Sequence, residues 1–345
     1  MQAPEIPPAH TLTTRAAWPA LLLLLSGCGL VRLATGQLDL INHQVPLAKA
    51  IATETDPERR ALLAEVPQIL AFAQDVVGLH VGQSYRGYYA TEQKGLTYVV
   101  TACAQTEFEP YTWWFPIVGE VEYRSYWDEF DALAASAQLE SQGYDTWISP
   151  SRAYSSLGIL RDPICTTMLR DGLPALVEVL VHELSHARMY VPGETDWNEA
   201  LASFVGERGA ERYFAVPRFA GSRVLSEMRE RAARKTAFDA AVERAYEKLD
   251  ALYRGSKPRN LKLRERQRVF EALTAELITL FPSDDPGKWR MNNARLVHFH
   301  RYTANNGTLA RLWAQSNQQF RRFWELAEEY AARSFGAGAA GPWDH

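Results

Sequence analysis

The sequence predicts an α+β fold that is mainly helical, with a small sheet. Three observations carry this. From about residue 172 onward, apolar residues recur at intervals of three and four. Residues 84–127 instead break into short aromatic and β-branched runs punctuated by Gly and Pro. Two further helical patterns, beginning near Asp56 and Asp128, lie on either side of those runs. At 345 residues with 47% apolar content, the chain can build one sizeable core. A net charge of −4 with 23% charged residues argues against a disordered chain and against a nucleic-acid binder.

The elements follow in order. Ala16 to Leu25 is an apolar run too short to span a bilayer, which needs roughly 20 residues, but suited to the core of an export signal. Leu25-Ser26-Gly27-Cys28 follows and looks like a bacterial lipobox, in which the signal is cut before Cys and the thiol is lipidated. The other reading is a buried N-terminal helix with a stray Cys; Arg15 is opposed by Glu5, so the positive start of a signal is weak. Residues 1–27 are therefore expected to be a signal peptide. Residues 28–335 are expected to form one domain, and 336–345 a frayed tail. Within the domain, 29–160 should hold the first helices and the sheet, and 161–335 the helical part.

Asp56 can cap a helix that Pro57 starts and Gly78 closes, with Leu62, Leu63, Val66, Ile69, Leu70 and Ala73 as its stripe. Asp128 to Gln142 is helical and Gly143 ends it; Tyr144 to Ile148 is a strand, and Ala153 to Gly158 an edge segment. Residues 218–254 and 258–280 read as long solvated helices, and 288–304 and 308–332 as two more. Cys103 and Cys165 are left as a possible disulfide if the compartment is oxidising.

The chemistry concentrates in VHELSHARMYVPGETDWNEALASFVGERG at 181–209. His182 and His186 are one helical turn apart on one face, close enough to bind one ion. Glu183 sits beside the first of them, where it could hold and deprotonate a metal-bound water. Pro192-Gly193 ends that helix, and Glu199 lies in the first turn of the next. Asp196 and Glu199 have the spacing of a capping box, which alone would account for Glu199. Against that, Ala202, Ser203, Gly206 and Ala210 extend from Glu199 as a face of small residues, which lets two helices approach closely. Glu199 is the expected third ligand, with Glu207 in reserve.

H-E-x-x-H followed by Asn198-Glu199 resembles the gluzincin metallopeptidases, the thermolysin-like clan. More closely, the chain resembles the bacterial predicted aminopeptidase family of envelope lipoproteins. The matching residues are Leu25–Cys28, GQLDL at 36–40, WWFPIVG at 113–119, AYSSLG at 153–158, Asp162-Pro163, HELSH at 182–186, NEALASFVGERG at 198–209, and Asn292-Asn293-Ala294 through Tyr302. The resemblance implies a zincin-like fold with the sheet flanking the active-site helix. It implies Zn2+ held by His182, His186 and Glu199, with Glu183 as general base, in a protein lipid-anchored at Cys28 and facing the periplasm. The thermolysin-like pattern puts an Asp one turn after its Asn-Glu to orient a ligand histidine; Ser203 stands there in this chain.

If the zinc reading holds, a peptide is the substrate, and further donors must face the developing oxyanion. Tyr302, His298 and Tyr154 are candidates, and AYSSLG, with Tyr154 and Ser155, is the strand to pair with an extended peptide. His298 and His300 are two apart, so they do not form a second metal pair. An aminopeptidase also needs an anion near the substrate amine; Glu178 and Glu194 are the candidates. The competing expectation is an envelope scaffold with structural zinc or none. A hydrolase acting on a different bond is a third. The oligomeric state is left open.

Overall fold

The computed structural model describes residues 36–115, 119–153, 161–302 and 305–336. The signal and lipobox, including Cys28, the AYSSLG segment with Tyr154 and Ser155, and the tail from 337 lie outside the described residues. No described helix is long and apolar enough to cross a membrane.

Residues 36–43 are helical (α1), followed by the short strand β1 (Val45–Pro46) and α2 (Leu47–Thr53). Asp56 then caps α3 (Pro57–Phe72), its carboxylate accepting from the backbone N–H of Glu58 (2.9 Å) and Arg59 (3.2 Å). Leu63, Val66 and Ile69 bury its expected face. A π turn at Ala73–Val77 extends α3, and Gly78 ends it in the left-handed region at φ +80°.

The predicted strands form three small sheets rather than one. β2 (Gly87–Tyr89) lies between β1 and β8 (Ile164–Cys165). β3 (Thr97–Ala104) lies between β6 (Tyr123–Tyr126) and β7 (Tyr144–Ser151), with both pairings antiparallel. β4 (Trp113–Phe115) and β5 (Gly119–Val121) make a separate hairpin. The period-two alternation of β3 turns Tyr98, Val100 and Ala102 onto α4 (Glu129–Ser141), against Ala132 and Leu139.

The helical part begins with α5 (Gly172–Arg188) and α6 (Thr195–Phe214), then α7 (Val224–Arg254), α8 (Arg259–Leu280) and α9 (Asn293–Arg301). The stretch predicted as one helix over 308–332 is two, α10 (Asn306–Gln315) and α11 (Phe320–Phe335). Asn317 (φ 52°) and Gln318 (φ 59°) turn the chain between them in the left-handed region, which Asn tolerates better than most residues.

The largest core joins α2, α3, α5, α6, α10 and α11 with β2 and β8. A second core joins α7, α8 and α9 around Phe270, Leu273, Trp289 and Leu296, so the two long helices are less solvated than their charge density predicts. The short β1–β2–β8 ladder is the sheet beside α5, contributing Tyr88, Ile164 and Cys165 to the same core as Leu176, Leu180 and Leu184. The larger sheet backs α9 instead, where the Arg295 guanidinium stacks 4.1 Å over Trp147.

Cys103 and Cys165 are both free thiols. They sit on different sheets, and each donates to a nearby carbonyl, Cys103 to Glu107 and Cys165 to Pro163. Burial pushes the Cys103 thiol up to about 12.

Candidate metal centre

α5 is apolar enough to be anchored on one side: Ala175, Leu176, Val177, Leu180, Val181 and Leu184 are buried. That orientation turns His182 and His186 toward α6. Their Nε2 atoms are 3.2 Å apart and their ring planes lie at 83°. Glu199 reaches both, with Oε2 3.6 Å from His182 Nε2 and Oε1 3.8 Å from His186 Nε2. One ligand atom from each of the three lies within 4.8 Å of the others.

Two features of α6 bring Glu199 here. The first is Asn198, which is 2% exposed. Its Oδ1 accepts from Val191 N–H and its Nδ2 donates to Val191 C=O, both at 2.8 Å. This closes the loop between the two helices and sets the phase at which α6 starts. The second is the close crossing predicted from the small residues. A Cβ on Gly206 would sit 2.8 Å from the Glu178 carbonyl oxygen, and one on Gly209 would sit 2.9 Å from Val181 Cγ1. Glycine is required because the backbone of one helix meets the other directly.

The capping box does not form. α6 begins at Thr195, and Asp196 turns its carboxylate outward to accept from Arg301 Nε at 2.9 Å. Glu199 is thereby left to the histidines. Glu207 also faces elsewhere, pairing with Lys235 at 3.5 Å and Arg208 at 3.9 Å, and it is not in the ligand group.

The charges are strongly coupled. Burial alone would raise the Glu199 carboxyl, but its hydrogen bond to His182 and the two imidazoles outweigh this and bring it to about 2. Burial would lower His182, yet the Glu199 hydrogen bond and the carboxylates of Glu183, Glu199 and Glu178 raise it. Burial lowers His186 to about 4. Glu183 is pushed up to about 7, first by burial, with Glu199 and Asp162 adding to it and His182 opposing.

Two imidazoles and one carboxylate are a donor set suited to zinc and leave a coordination position open. The fit extends outward. Ser203 Oγ lies 3.4 Å from His182 Nδ1, so the residue that departs from the thermolysin-like Asp occupies the orienting position itself. His186 Nδ1 is buried with no hydrogen-bond partner among the described residues.

α9 forms the opposite wall. His298 and Tyr302 stand with ring centroids 5.4 Å apart, and the charge of Glu199 acts on both. Burial, then Arg301, lowers His298 to about 4; burial, then Glu199, raises Tyr302. His300 is turned away, stacked 3.8 Å from Tyr246 and 3.0 Å from Glu243 Oε2, so it makes no metal pair with His298. Arg301 is the residue the sequence reading missed. It is 4% exposed and ties α9 to the start of α6 through Asp196 and to Glu122 at 2.6 Å. Its only sequence signal was its place inside the 292–302 resemblance.

Of the amine-anchor candidates, Glu178 pairs with Arg231 at 3.3 Å, and Glu194 stands at the start of α6, its carbonyl accepting from Asn198 N–H. A carboxylate not considered for this role, Asp162, lines a small cavity with Tyr85 and Glu183.

No curated protein and no solved structure matches this chain. A family does: the one described as "Putative aminopeptidase" matches residues 30–335, a span that takes in both ligand helices and the α9 wall. The chain belongs to that aminopeptidase family.

Proposed function

We propose that this protein is a zinc metallopeptidase, acting as an aminopeptidase and held by a lipid on Cys28 at the periplasmic side of the bacterial envelope. The observation that carries the metal reading is the convergence of His182, His186 and Glu199 within 4.8 Å. Family membership supports the peptidase reading. The anchor rests on the apolar run and Leu25-Ser26-Gly27-Cys28 alone.

His182, His186 and Glu199 would hold the ion. When bound, zinc supplies Lewis-acid polarisation of the peptide carbonyl and makes water acidic enough to attack near neutral pH. Glu183 takes a proton from the attacking water on its carboxylate and returns it to the leaving amine nitrogen. Its elevated affinity for a proton suits both halves of that transfer. Tyr302 keeps its hydroxyl proton and can donate it to the developing oxyanion; His298, neutral beside it, is the second donor.

The test is zinc content of the full chain in detergent, for wild type, Glu199→Ala and Glu183→Gln, with cleavage of a peptide panel. The reading expects near-stoichiometric zinc in wild type and Glu183→Gln, and much less in Glu199→Ala. Cleavage should fall by on the order of a thousand-fold or more in Glu183→Gln, whose acid–base function is lost. A folded wild type that takes up no added zinc would favour the scaffold. Zinc without peptide cleavage would point to another bond.

A further inference from the structure

Resting on that reading, we infer that Asp162 and Tyr85 anchor the free amino group of the substrate, and that the cavity they share with Glu183 makes the enzyme an aminopeptidase. The α-amine of a peptide lies two bonds from the carbonyl carbon that is attacked. An anchor for it must therefore stand beside the general base. The other acidic groups around the site face cations: Glu178 pairs with Arg231, Glu207 with Lys235, and Asp196 and Glu122 with Arg301. Asp162 is the carboxylate that opens onto the same cavity as Glu183.

The cavity is built for a small polar group. Ser84, Tyr85, Asp162 and Glu183 line it, Leu184 and Ala187 of α5 form its apolar side, and His80 is at its exposed rim. It has room for about one water-sized group. An ammonium is that size and has three N–H donors, which the Asp162 carboxylate and the hydroxyls of Tyr85 and Ser84 can accept. An acylated amine, the internal peptide bond of a longer chain, brings a carbonyl and a further residue that the space does not admit. The size of the cavity thus selects chain ends.

Its wall is held in an unusual conformation. Tyr85 is 2% exposed with φ +62°, a left-handed backbone for a bulky aromatic. Its N–H donates to the Asp162 carbonyl at 2.6 Å, which binds the 80–85 turn to the segment that bears the carboxylate. Strain of this kind persists where the surroundings enforce it and collects at functional sites.

The experiment uses zinc-loaded full-length protein in detergent and two probes, leucine hydroxamate and its N-acetyl derivative, with affinities from calorimetry. Wild type should prefer the free amine by about 10–100-fold, as expected for charge-assisted hydrogen bonds to one carboxylate. Asp162→Asn should reduce that preference to within a few-fold while N-acetyl binding and zinc content stay unchanged. Equal or absent binding of the two probes to zinc-loaded wild type overturns the anchor, and needs no variant to fold. So does a preference that survives Asp162→Asn, or one that Glu178→Gln erases instead. Zinc content separates the two failures: a protein that binds no zinc removes the metallopeptidase reading and the anchor together, whereas normal zinc without amine preference removes the anchor alone.

Discussion

Two helix assemblies in this molecule are held together by different means. α5 and α6 meet backbone to side chain through Gly206 and Gly209, with ionisable groups between them. α7, α8 and α9 are separated by large rings: Phe238 packs on Phe281, Trp289 and Phe299, and Arg295 lies over Trp147, Trp289 and Phe299. The difference follows from what each must position. Three short side chains can converge on one ion only if their backbones are close. His298 and Tyr302 need only the right orientation, which a bulky and well-filled core supplies.

The largest test of that contrast lies where the second assembly meets the sheet. Asp145, 8% exposed, accepts from Arg266 at 2.7 and 3.2 Å and from Asn293 N–H at 2.9 Å. Asp145→Ala leaves a buried guanidinium without its carboxylate, and should cost about 3–5 kcal/mol in denaturant unfolding. If the assemblies are distinct, zinc affinity of the folded variant changes by no more than a few-fold. A large loss of zinc would join them into one unit.

Gly206→Val is next. Its branched side chain must displace the Glu178 carbonyl, so destabilisation on the order of 3 kcal/mol is expected, accompanied by loss of zinc. Retention of full zinc affinity would break the argument that close approach sets the ligands. Ser203→Ala probes the same pair more gently. Removing the hydroxyl beside His182 should weaken zinc binding roughly 10-fold, measured by chelator competition, with little change in unfolding.

The smallest effect is on pH dependence. His298 is held near about 4, whereas an exposed imidazole titrates at about 6.5. As pH falls, the unfolded chain therefore takes the proton first. The stability of the metal-free protein is then greatest above the unfolded value and declines from about pH 6.5 toward 4, with His298 contributing on the order of 1–2 kcal/mol. His186 and Glu183 titrate in both proteins, so the difference between wild-type and His298→Asn curves isolates this share. Identical slopes would place His298 in solvent rather than in the wall.

What the sequence determined by itself was everything that depends on short-range geometry. His182 and His186 share a face because of the helical repeat. Asp56 and Asp128 cap helices because their carboxylates reach the next turn, and Tyr98, Val100 and Ala102 share a side because strands alternate. The face of small residues after Glu199 also announced a close crossing. Only the tertiary structure chose between Glu199 and Glu207, because both lie on α6 and the choice depends on which one α5 meets and which one Lys235 takes. It assigned Asp196 to Arg301 rather than to a cap, divided 308–332 at Asn317, and put Tyr85 and Asp162 beside Glu183. These outcomes rest on contacts between residues distant in the chain, whose energies override local preference and leave no periodic trace in the sequence.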